Sequence, residues 1–211
     1  MDIIKKHKEG LEYEKDFWLN IVHQGKFRAM QDNWRKAANY LEHITKQYIT
    51  LDSTSKILQI GVAVQDSINF WKIGKRFTVD PLAVFYRKSF SICDKDLFSI
   101  AGLGESLPFL KASVDVILCL NVLDHTRDPK RVISECKRIM RSGGIFFLGV
   151  NVYPEDLIDK ENDDPIHFWR FTSSDILELL KNNDFIIKDS TLHEGSDMQN
   201  TKWFWLAAIK P

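Results

Sequence analysis

The sequence predicts an α/β domain whose strands form a mostly parallel sheet. Residues 57–60 are an almost wholly apolar run that ends at Gly61, which is typical of a buried strand followed by a tight turn. Further apolar runs alternate with segments of helical spacing, as expected for parallel strands joined by helices. Two later runs, residues 185–189 and 203–209, have no helix between them and should pair as an antiparallel hairpin at one sheet edge.

The composition is that of one ordinary globular domain, and it argues against several classes of partner. Lysine and arginine together number 29, as do aspartate and glutamate, so no net charge favours a nucleic acid or an anionic membrane. Cys93, Cys119 and Cys136 are widely spaced, which favours reduced thiols over a disulfide framework or a zinc site. Because no apolar run approaches about 18 residues and no signal-peptide core is present, we expect a cytoplasmic protein without a membrane partner.

Residues 1–52 are predicted to form an N-terminal helical cap on a main domain of residues 53–211, the whole being one structural unit. Within the cap, apolar positions recur every three or four residues, so we expect two or three amphipathic helices with a break near Gly25. An aromatic stripe on these helices could line a substrate pocket, but at helical spacing we interpret it as core. Its members are Tyr13, Phe17, Trp18, Trp34 and Tyr40.

The strand at residues 57–60 begins a unit with the spacing of a nucleotide-binding site. After Gly61 the apolar residues of 65–73 follow helical spacing, so a helix is predicted there. A second strand at residues 77–79 ends in Asp80, about 20 residues after the glycine turn. A carboxylate at this distance along the chain can reach a ribose hydroxyl beside the turn, so we predict that Asp80 binds ribose; the alternative is a solvated loop acid.

The rest of the chain continues the alternation. The predicted elements are a short helix at residues 81–88, strands at 97–100, 114–120 and 145–150, and helices at 130–140 and 176–182. Asp128 is the predicted N-cap of the helix at 130–140, with Pro129 as its first residue, and residues 172–175 are predicted to form a capping box for the helix at 176–182. A loop at residues 102–109 combines two glycines, an acid and a proline, which suits close packing against a flat ligand. The pair Gly143 and Gly144 is predicted to stop the helix at 130–140. A polar, acidic loop at residues 151–167 could act as a lid; its acids are Asp156, Asp159, Glu161, Asp163 and Asp164.

Six sequence blocks occur in an order that points to a known family. They are ILQIG, VDP, GLGESLPF, SVDVILCLNVLDHTRDP, RIMRSGGIFFLGV and HFWRFTSSDILELLKNNDF. In this order they resemble the class I S-adenosylmethionine-dependent methyltransferases, in their broad small-molecule group, over about residues 56–211. The resemblance implies a Rossmann-like three-layer sandwich whose seven-stranded sheet has one antiparallel strand. It also implies S-adenosyl-L-methionine as cofactor, lying across the carboxyl ends of the first strands.

The resemblance, with the strand ends predicted above, places the cofactor against nine residues. They are Gln59, Gly61, Val62, Ala63, Asp80, Pro81, Gly104, Glu105 and Asn121. The glycine motif departs from the family pattern, because Gln59 replaces an acid while Ala63 and Gln65 replace glycines. Leu103 stands where the family has an acid that contacts adenine, so Glu105 or backbone groups must make that contact. These changes predict weakened cofactor binding.

Two histidines are the candidate catalytic residues. His125 could remove a proton from an acceptor, since imidazole titrates near neutral pH, or it could be a helix-entry residue that bonds loop carbonyls. His167, with Trp169 and Arg170, could clamp an anionic or ring-bearing acceptor, or these three could only pack the loop. The acidic loop lacks the calcium-loop spacing and the sequence shows no histidine pair, so no metal site is predicted.

The function that these features favour is methyl transfer from S-adenosylmethionine to a small molecule, such as a sugar or another hydroxylated metabolite. One alternative is an inactive methyltransferase fold that binds a partner protein and has little or no affinity for cofactor. A second alternative is an NAD-dependent oxidoreductase, which the terminal hairpin and the lack of a second nucleotide-binding half disfavour. The sequence leaves open whether the protein is a monomer or a homodimer.

Overall fold

A computed structural model of the chain describes residues 2–90, 94–158, 164–194 and 201–211. Its strands are β1 (Lys56–Ile60), β2 (Lys75–Asp80), β3 (Leu97–Ala101), β4 (Val114–Leu120), β5 (Met140–Val152), β6 (Ile186–His193) and β7 (Lys202–Ile209). They form one sheet in the order β3-β2-β1-β4-β5-β7-β6. β7 runs antiparallel to both its neighbours, and the other pairs are parallel. The predicted seven-stranded sheet with one antiparallel strand is therefore confirmed.

Helices cover both faces of this sheet. They are α1 (Ile3–His23), α2 (Phe27–Tyr48), α3 (Ala83–Ser89), α4 (Pro129–Ile139) and α5 (Ser173–Lys181). α4 and α5 bury Ile133 and Ile176 against one face, while α2 buries Leu41 and Ile44 against the other. The central strands are apolar on both sides because both sides are covered, which is the arrangement expected of parallel sheets. The predicted three-layer sandwich is confirmed.

The chain before β1 forms two helices with a break at Gly25, as predicted. Gly25 has φ +68°, a left-handed conformation that glycine adopts without steric cost, and it separates α1 from α2. α1 packs closely against the loop before α5, because a Cβ atom added to Gly10 would lie 2.9 Å from the Phe168 ring. The cap is thereby held over the carboxyl ends of the strands.

The helix predicted directly after β1 is wrong. Residues 61–74 form a loop whose only helical piece is a single 3-10 turn, Ser67–Phe70. Asp66 and Asn69 close a capping box across that turn, and Gly74, with φ +89°, directs the chain into β2. The apolar residues that suggested a helix instead pack Ile68 and Trp71 beneath α2. An element that precedes β1 therefore covers the sheet face here.

The glycine pair after α4 does not end that helix, contrary to the prediction. α4 ends at Ile139, and the next residue already belongs to β5. Gly143 and Gly144 lie within the long strand β5, where they exchange backbone hydrogen bonds with Lys210. The N-terminal end of α4 is as predicted, because the Asp128 side chain accepts the N–H of Arg131 and proline follows at the first helical position.

Two of the three cysteines are reduced and buried, as their spacing predicted. Cys119 and Cys136 are free and buried, and burial raises the pKa of the Cys119 thiol to about 12. Cys93 and three acids of the predicted lid, Asp159, Glu161 and Asp163, lie outside the described residues. Among the helices that the structure describes, none combines the length and the apolar character needed to cross a membrane.

Candidate active site

A cavity of about 390 Å³ lies at the carboxyl ends of β1, β2 and β4, beneath α1 and α2. This is where open α/β sheets bind their ligands. Eight of the nine predicted cofactor residues line it, all except Gln59. The eight are Gly61, Val62, Ala63, Asp80, Pro81, Gly104, Glu105 and Asn121.

The turn after β1 is shaped by backbone conformations that few side chains tolerate. Gly61 has φ +63°, and its N–H bonds the carbonyl of Val79 at 2.9 Å. A Cβ atom at Gly61 would lie 2.5 Å from a methyl group of Val122, so glycine is required on two grounds. Ala63 also has positive φ, +51°, although it carries a side chain. The second glycine of the motif is therefore replaced at a position that still has a glycine-like conformation.

Asp80 ends β2 and organises this turn. One carboxylate oxygen accepts the backbone N–H groups of Val62 at 2.9 Å and Ala63 at 3.3 Å, and the other accepts the N–H of Leu82 at 2.6 Å. Burial raises the pKa of the Asp80 carboxyl, while these N–H groups oppose the rise. A carboxylate has about four lone-pair positions, so Oδ1 can accept a further hydrogen bond from a ligand. Asp80 is thus both a turn-stabilising residue and a wall of the cavity.

The two glutamines of the altered motif point in different directions. Gln59 is fully buried, and its side-chain oxygen accepts the N–H of Ile68 at 3.0 Å, so it supports the 3-10 turn rather than facing the cavity. Gln65 lines the cavity, where its side-chain oxygen accepts a hydrogen bond from Gln31 of α2 at 2.6 Å. The bulky side chain at position 65 is therefore tied to the cap.

The opposite wall is formed by the loop after β3 and the end of β4. Glu105 accepts the N–H groups of Arg127 at 2.7 Å and Asp128 at 3.2 Å, so its carboxylate serves the start of α4 while also bordering the cavity. Leu103 and Gly104 present backbone and apolar surface to the cavity. Asn121 follows β4 with φ +55°, and its N–H bonds the Gly149 carbonyl at 2.7 Å.

The candidate catalytic histidines lie side by side. The rings of His125 and His167 are 4.5 Å apart between centroids and inclined at 60°. His125 Nδ1 is 3.4 Å from a carboxylate oxygen of Glu14 on α1, and His167 Nδ1 is 2.9 Å from one of Asp164. Burial raises the pKa of the Glu14 carboxyl, while His125 and the Trp18 indole N–H oppose the rise. Each imidazole therefore has an acidic partner on one ring nitrogen.

A buried acid next to this pair was not singled out from the sequence. Asp124 has only 1% of its surface exposed, and neither of its side-chain oxygens has a hydrogen-bond partner among the residues that the structure describes. One of these oxygens lies 3.8 Å from His125 Nε2. Its position directly before His125 in the LDH block is the sequence feature that could have identified Asp124 as a site residue. Glu14 could not be found in this way, because only the fold brings α1 to the histidines.

The residues flanking His167 serve the loop. Trp169 donates its indole N–H to the carbonyl of Thr126 at 2.7 Å, and Arg170 bonds the carbonyl of Leu157 at 2.9 Å while lying over the Tyr153 ring. Neither residue borders the cavity. These contacts agree with the loop-packing alternative for Trp169 and Arg170.

The interpretation of the aromatic stripe as core is confirmed for Trp18, whereas Tyr13, Phe17 and Tyr40 are exposed and do not belong to the core. Phe17, Trp18 and Trp34 line the cavity from above, although Trp18 also packs in a buried cluster with α3. Tyr13 and Tyr40 are about half exposed. The cap therefore contributes an aromatic roof, defined here as Phe17, Trp18 and Trp34.

The chain is similar to methyltransferases in sequence. Residues 83–148 match a family model described as a methyltransferase domain. A probable S-adenosylmethionine-dependent methyltransferase of Mycolicibacterium smegmatis is 31% identical over 93 residues, which are 42% of this chain and 35% of that protein. A ubiquinone biosynthesis O-methyltransferase of Idiomarina loihiensis is 37% identical over 59 residues, 28% of this chain and 23% of that protein. The chain thus spans less than two thirds of the length of these relatives.

Solved structures of methyltransferases share this fold. A methyltransferase solved in complex with a methyltransferase activator of Haloferax volcanii superposes with a TM-score of 0.65 at 17% sequence identity. The superposition covers 92% of this chain and 97% of that chain, so almost the whole architecture is shared. At such low identity the likeness concerns the fold.

Proposed function

Because the chain carries the sequence signature and the fold of the class I S-adenosylmethionine-dependent methyltransferases, we propose that it methylates a small hydroxylated molecule in the cavity under its N-terminal cap. The observation that carries the proposal is the position of Asp80 beside the Gly61 turn, at the sheet edge where such folds bind a nucleoside.

The cavity residues fit S-adenosylmethionine. Gly61 borders the cavity and carries no side chain, so a ligand can approach the backbone there. Asp80 Oδ1 has spare acceptor capacity for a ribose hydroxyl, and Leu103 with Gly104 offers an apolar surface for the adenine. The volume, about 390 Å³, lies within the usual range of small-molecule sites.

Methyl transfer requires the protein mainly to hold the cofactor and the acceptor in line. Bound S-adenosylmethionine supplies an electrophilic methyl group. The residues of this chain must orient the acceptor, exclude water and dispose of a hydroxyl proton. The roof aromatics would exclude water, and the end of the cavity marked by His125 and Glu14 is where an acceptor would lose its proton.

The walls of the cavity support a small-molecule acceptor. An aromatic roof over the cavity favours a small molecule with a ring or another flat apolar face. The balanced charge of the chain gives no support for a nucleic acid acceptor. The similarity to an O-methyltransferase of ubiquinone biosynthesis supports a hydroxyl as the methylated group.

The second candidate is a binding protein without methyl transfer. It is favoured by one observation, that three backbone N–H groups already occupy the Asp80 carboxylate. In this case the turn would be a self-contained structure with no affinity for a nucleoside.

Calorimetric titration with S-adenosylhomocysteine tests the proposal. We expect binding and a raised melting temperature, since a ligand that binds only the native state stabilises it. Asp80→Asn should weaken binding by about 1–2 kcal/mol, roughly tenfold, because a charged acceptor becomes neutral. Asp96→Asn, at an exposed acid far from the cavity, should change nothing. A parent protein that shows no heat and no melting shift at millimolar ligand would favour the second candidate.

A further inference from the structure

We propose that Asp124, His125 and His167 bind a divalent first-row transition metal ion. We call these three residues the Asp-His-His cluster. Two imidazoles and one carboxylate are a donor set that suits zinc, iron, cobalt or manganese more than magnesium or calcium. The proposal that the ion binds does not depend on the proposed function. Only the role of the ion in methyl transfer rests on that function.

The three side chains are close enough to share one ion. Their ligand atoms all lie within 4.8 Å of one another. Three atoms at such separations lie within about 2.8 Å of a common centre, so shifts of under about 1 Å would bring them to metal-ligand distances near 2.0–2.2 Å. Side-chain rotation alone can supply such shifts.

The buried carboxylate is the observation that points to a cation. Asp124 has 1% of its surface exposed, and within the described part of the chain no group hydrogen-bonds to either of its side-chain oxygens. A buried charge without partners is costly, and buried acids are normally paired or coordinated to metal. His125 Nε2, which also has no hydrogen-bond partner in the residues described, faces one of these oxygens at 3.8 Å. A cation between them would satisfy both groups.

The surroundings of the histidines match those of metal ligands. Glu14 approaches His125 Nδ1 at 3.4 Å, and Asp164 approaches His167 Nδ1 at 2.9 Å. Ligating histidines commonly donate the second ring N–H to a carboxylate, which fixes the tautomer and makes the other nitrogen a better ligand. Here that arrangement would make Nε2 the ligand atom of each ring. Both outer carboxylates are therefore positioning residues in the proposed site.

The location gives the ion a role toward the acceptor. His125 borders the cavity, so the Asp-His-His cluster adjoins the space proposed for the acceptor. A divalent ion there would hold the acceptor hydroxyl and lower its pKa. The hydroxyl proton would leave to solvent, a new O–C bond would form to the methyl carbon, and the C–S bond of the cofactor would break to give S-adenosylhomocysteine. The ion would not change oxidation state.

Titration of chelator-treated protein with Co²⁺ and with Zn²⁺ tests the site. We expect one ion per chain with a dissociation constant at or below the micromolar range, and visible absorption bands of Co²⁺ with imidazole ligands. His167→Gln and Asp124→Asn should each weaken binding at least 10–100-fold, as even the loss of an outer partner does. Excess Mg²⁺ should not compete. His43→Gln and Asp32→Asn, matched substitutions at exposed residues of α2, should leave affinity unchanged.

Folding and cofactor binding are measured in the same variants. If Asp124→Asn lowers the melting temperature, His167→Gln in the partly exposed loop provides the decisive comparison. A parent that binds no ion in the micromolar range, or affinities that neither substitution reduces, would overturn the metal site. Metal binding without S-adenosylhomocysteine binding would instead refute the proposed function and leave the site in place.

Discussion

At the scale of single residues, Ala63 carries the clearest strain in the cavity wall. Its φ of +51° is a left-handed conformation, which costs an L-residue about 1 kcal/mol or more. Ala112, in an exposed turn far from the cavity, has nearly the same φ, +54°. The two alanines therefore form a matched pair that differs in proximity to the proposed cofactor.

We expect Ala63→Gly and Ala112→Gly each to raise the free energy of unfolding by up to about 1 kcal/mol, because relief of strain exceeds the added entropy of the unfolded chain. Denaturant titration of the parent and the two variants measures this change in the free energy of unfolding. Only Ala63→Gly should alter the dissociation constant for S-adenosylhomocysteine, since only that methyl group borders the cavity. Unchanged affinity in both variants would place the ligand away from the turn.

Asp66 makes stability depend on pH. Burial raises its pKa to about 6, while hydrogen bonds from Ser67 and Gln59 oppose the rise. Because the folded pKa exceeds the unfolded value of 3.8, the native state binds more protons between these two values. The contribution of Asp66 to stability is therefore fully present below about pH 4 and is lost as pH rises to about 6.

We expect Asp66→Asn to remove this part of the pH dependence, so that the stability at pH 6.5 relative to that at pH 4 should be about 2 kcal/mol higher in the variant than in the parent. Chemical unfolding of parent and variant across this range measures the difference. Asp32→Asn on the exposed face of α2 serves as the control. If the two variants have the same pH profile, the carboxyl of Asp66 titrates normally.

At the scale of elements, α5 has a capping box that the sequence predicted. Thr172 accepts the N–H of Asp175 at 3.1 Å, and the Asp175 carboxylate accepts the N–H of Thr172 at 2.7 Å. Thr172→Ala should cost about 1 kcal/mol of stability, the usual loss for an N-cap, whereas Thr172→Ser should cost little. Thermal unfolding tests both. Neither variant should change ligand affinity, and a change would mean that α5 contributes to the site.

The elements that were predicted correctly are those whose signals are local. β1, β4 and the hairpin of β6 and β7 have continuous or alternating apolar runs, and Asp128 with Pro129 marks the start of α4. The helix expected after β1 failed because the apolar spacing of Ile68 and Trp71 serves contacts with α2, a tertiary requirement with no local signal. The site residues also differ in whether they have a local sequence signal. Gly61 and Asp80 follow from strand ends, but the Asp-His-His cluster joins segments distant in sequence.

At the scale of the whole molecule, the N-terminal cap is expected to be inseparable from the domain it covers. α2 buries Leu41 and Ile44 against β1, β4 and β5, a face that would otherwise be open to water. A fragment of residues 53–211 should therefore fail to give a cooperative thermal transition. A fragment of residues 25–211, which keeps α2 but loses α1, should fold and bind S-adenosylhomocysteine more weakly. Cooperative unfolding of the shorter fragment would show that residues 53–211 fold alone.

The sheet face beside β1 is covered by α2, which precedes β1, and not by a helix that follows it. This arrangement also affects the order in which the protein folds. The Tyr40 ring of α2 packs 5.4 Å from that of Trp205, which belongs to β7. Part of the apolar stripe of α2 therefore meets its final partner only after nearly every other strand has been synthesised. Such contacts between distant segments slow folding and leave apolar surface exposed in the meantime. A nascent chain of this protein should thus depend on chaperones until β7 leaves the ribosome.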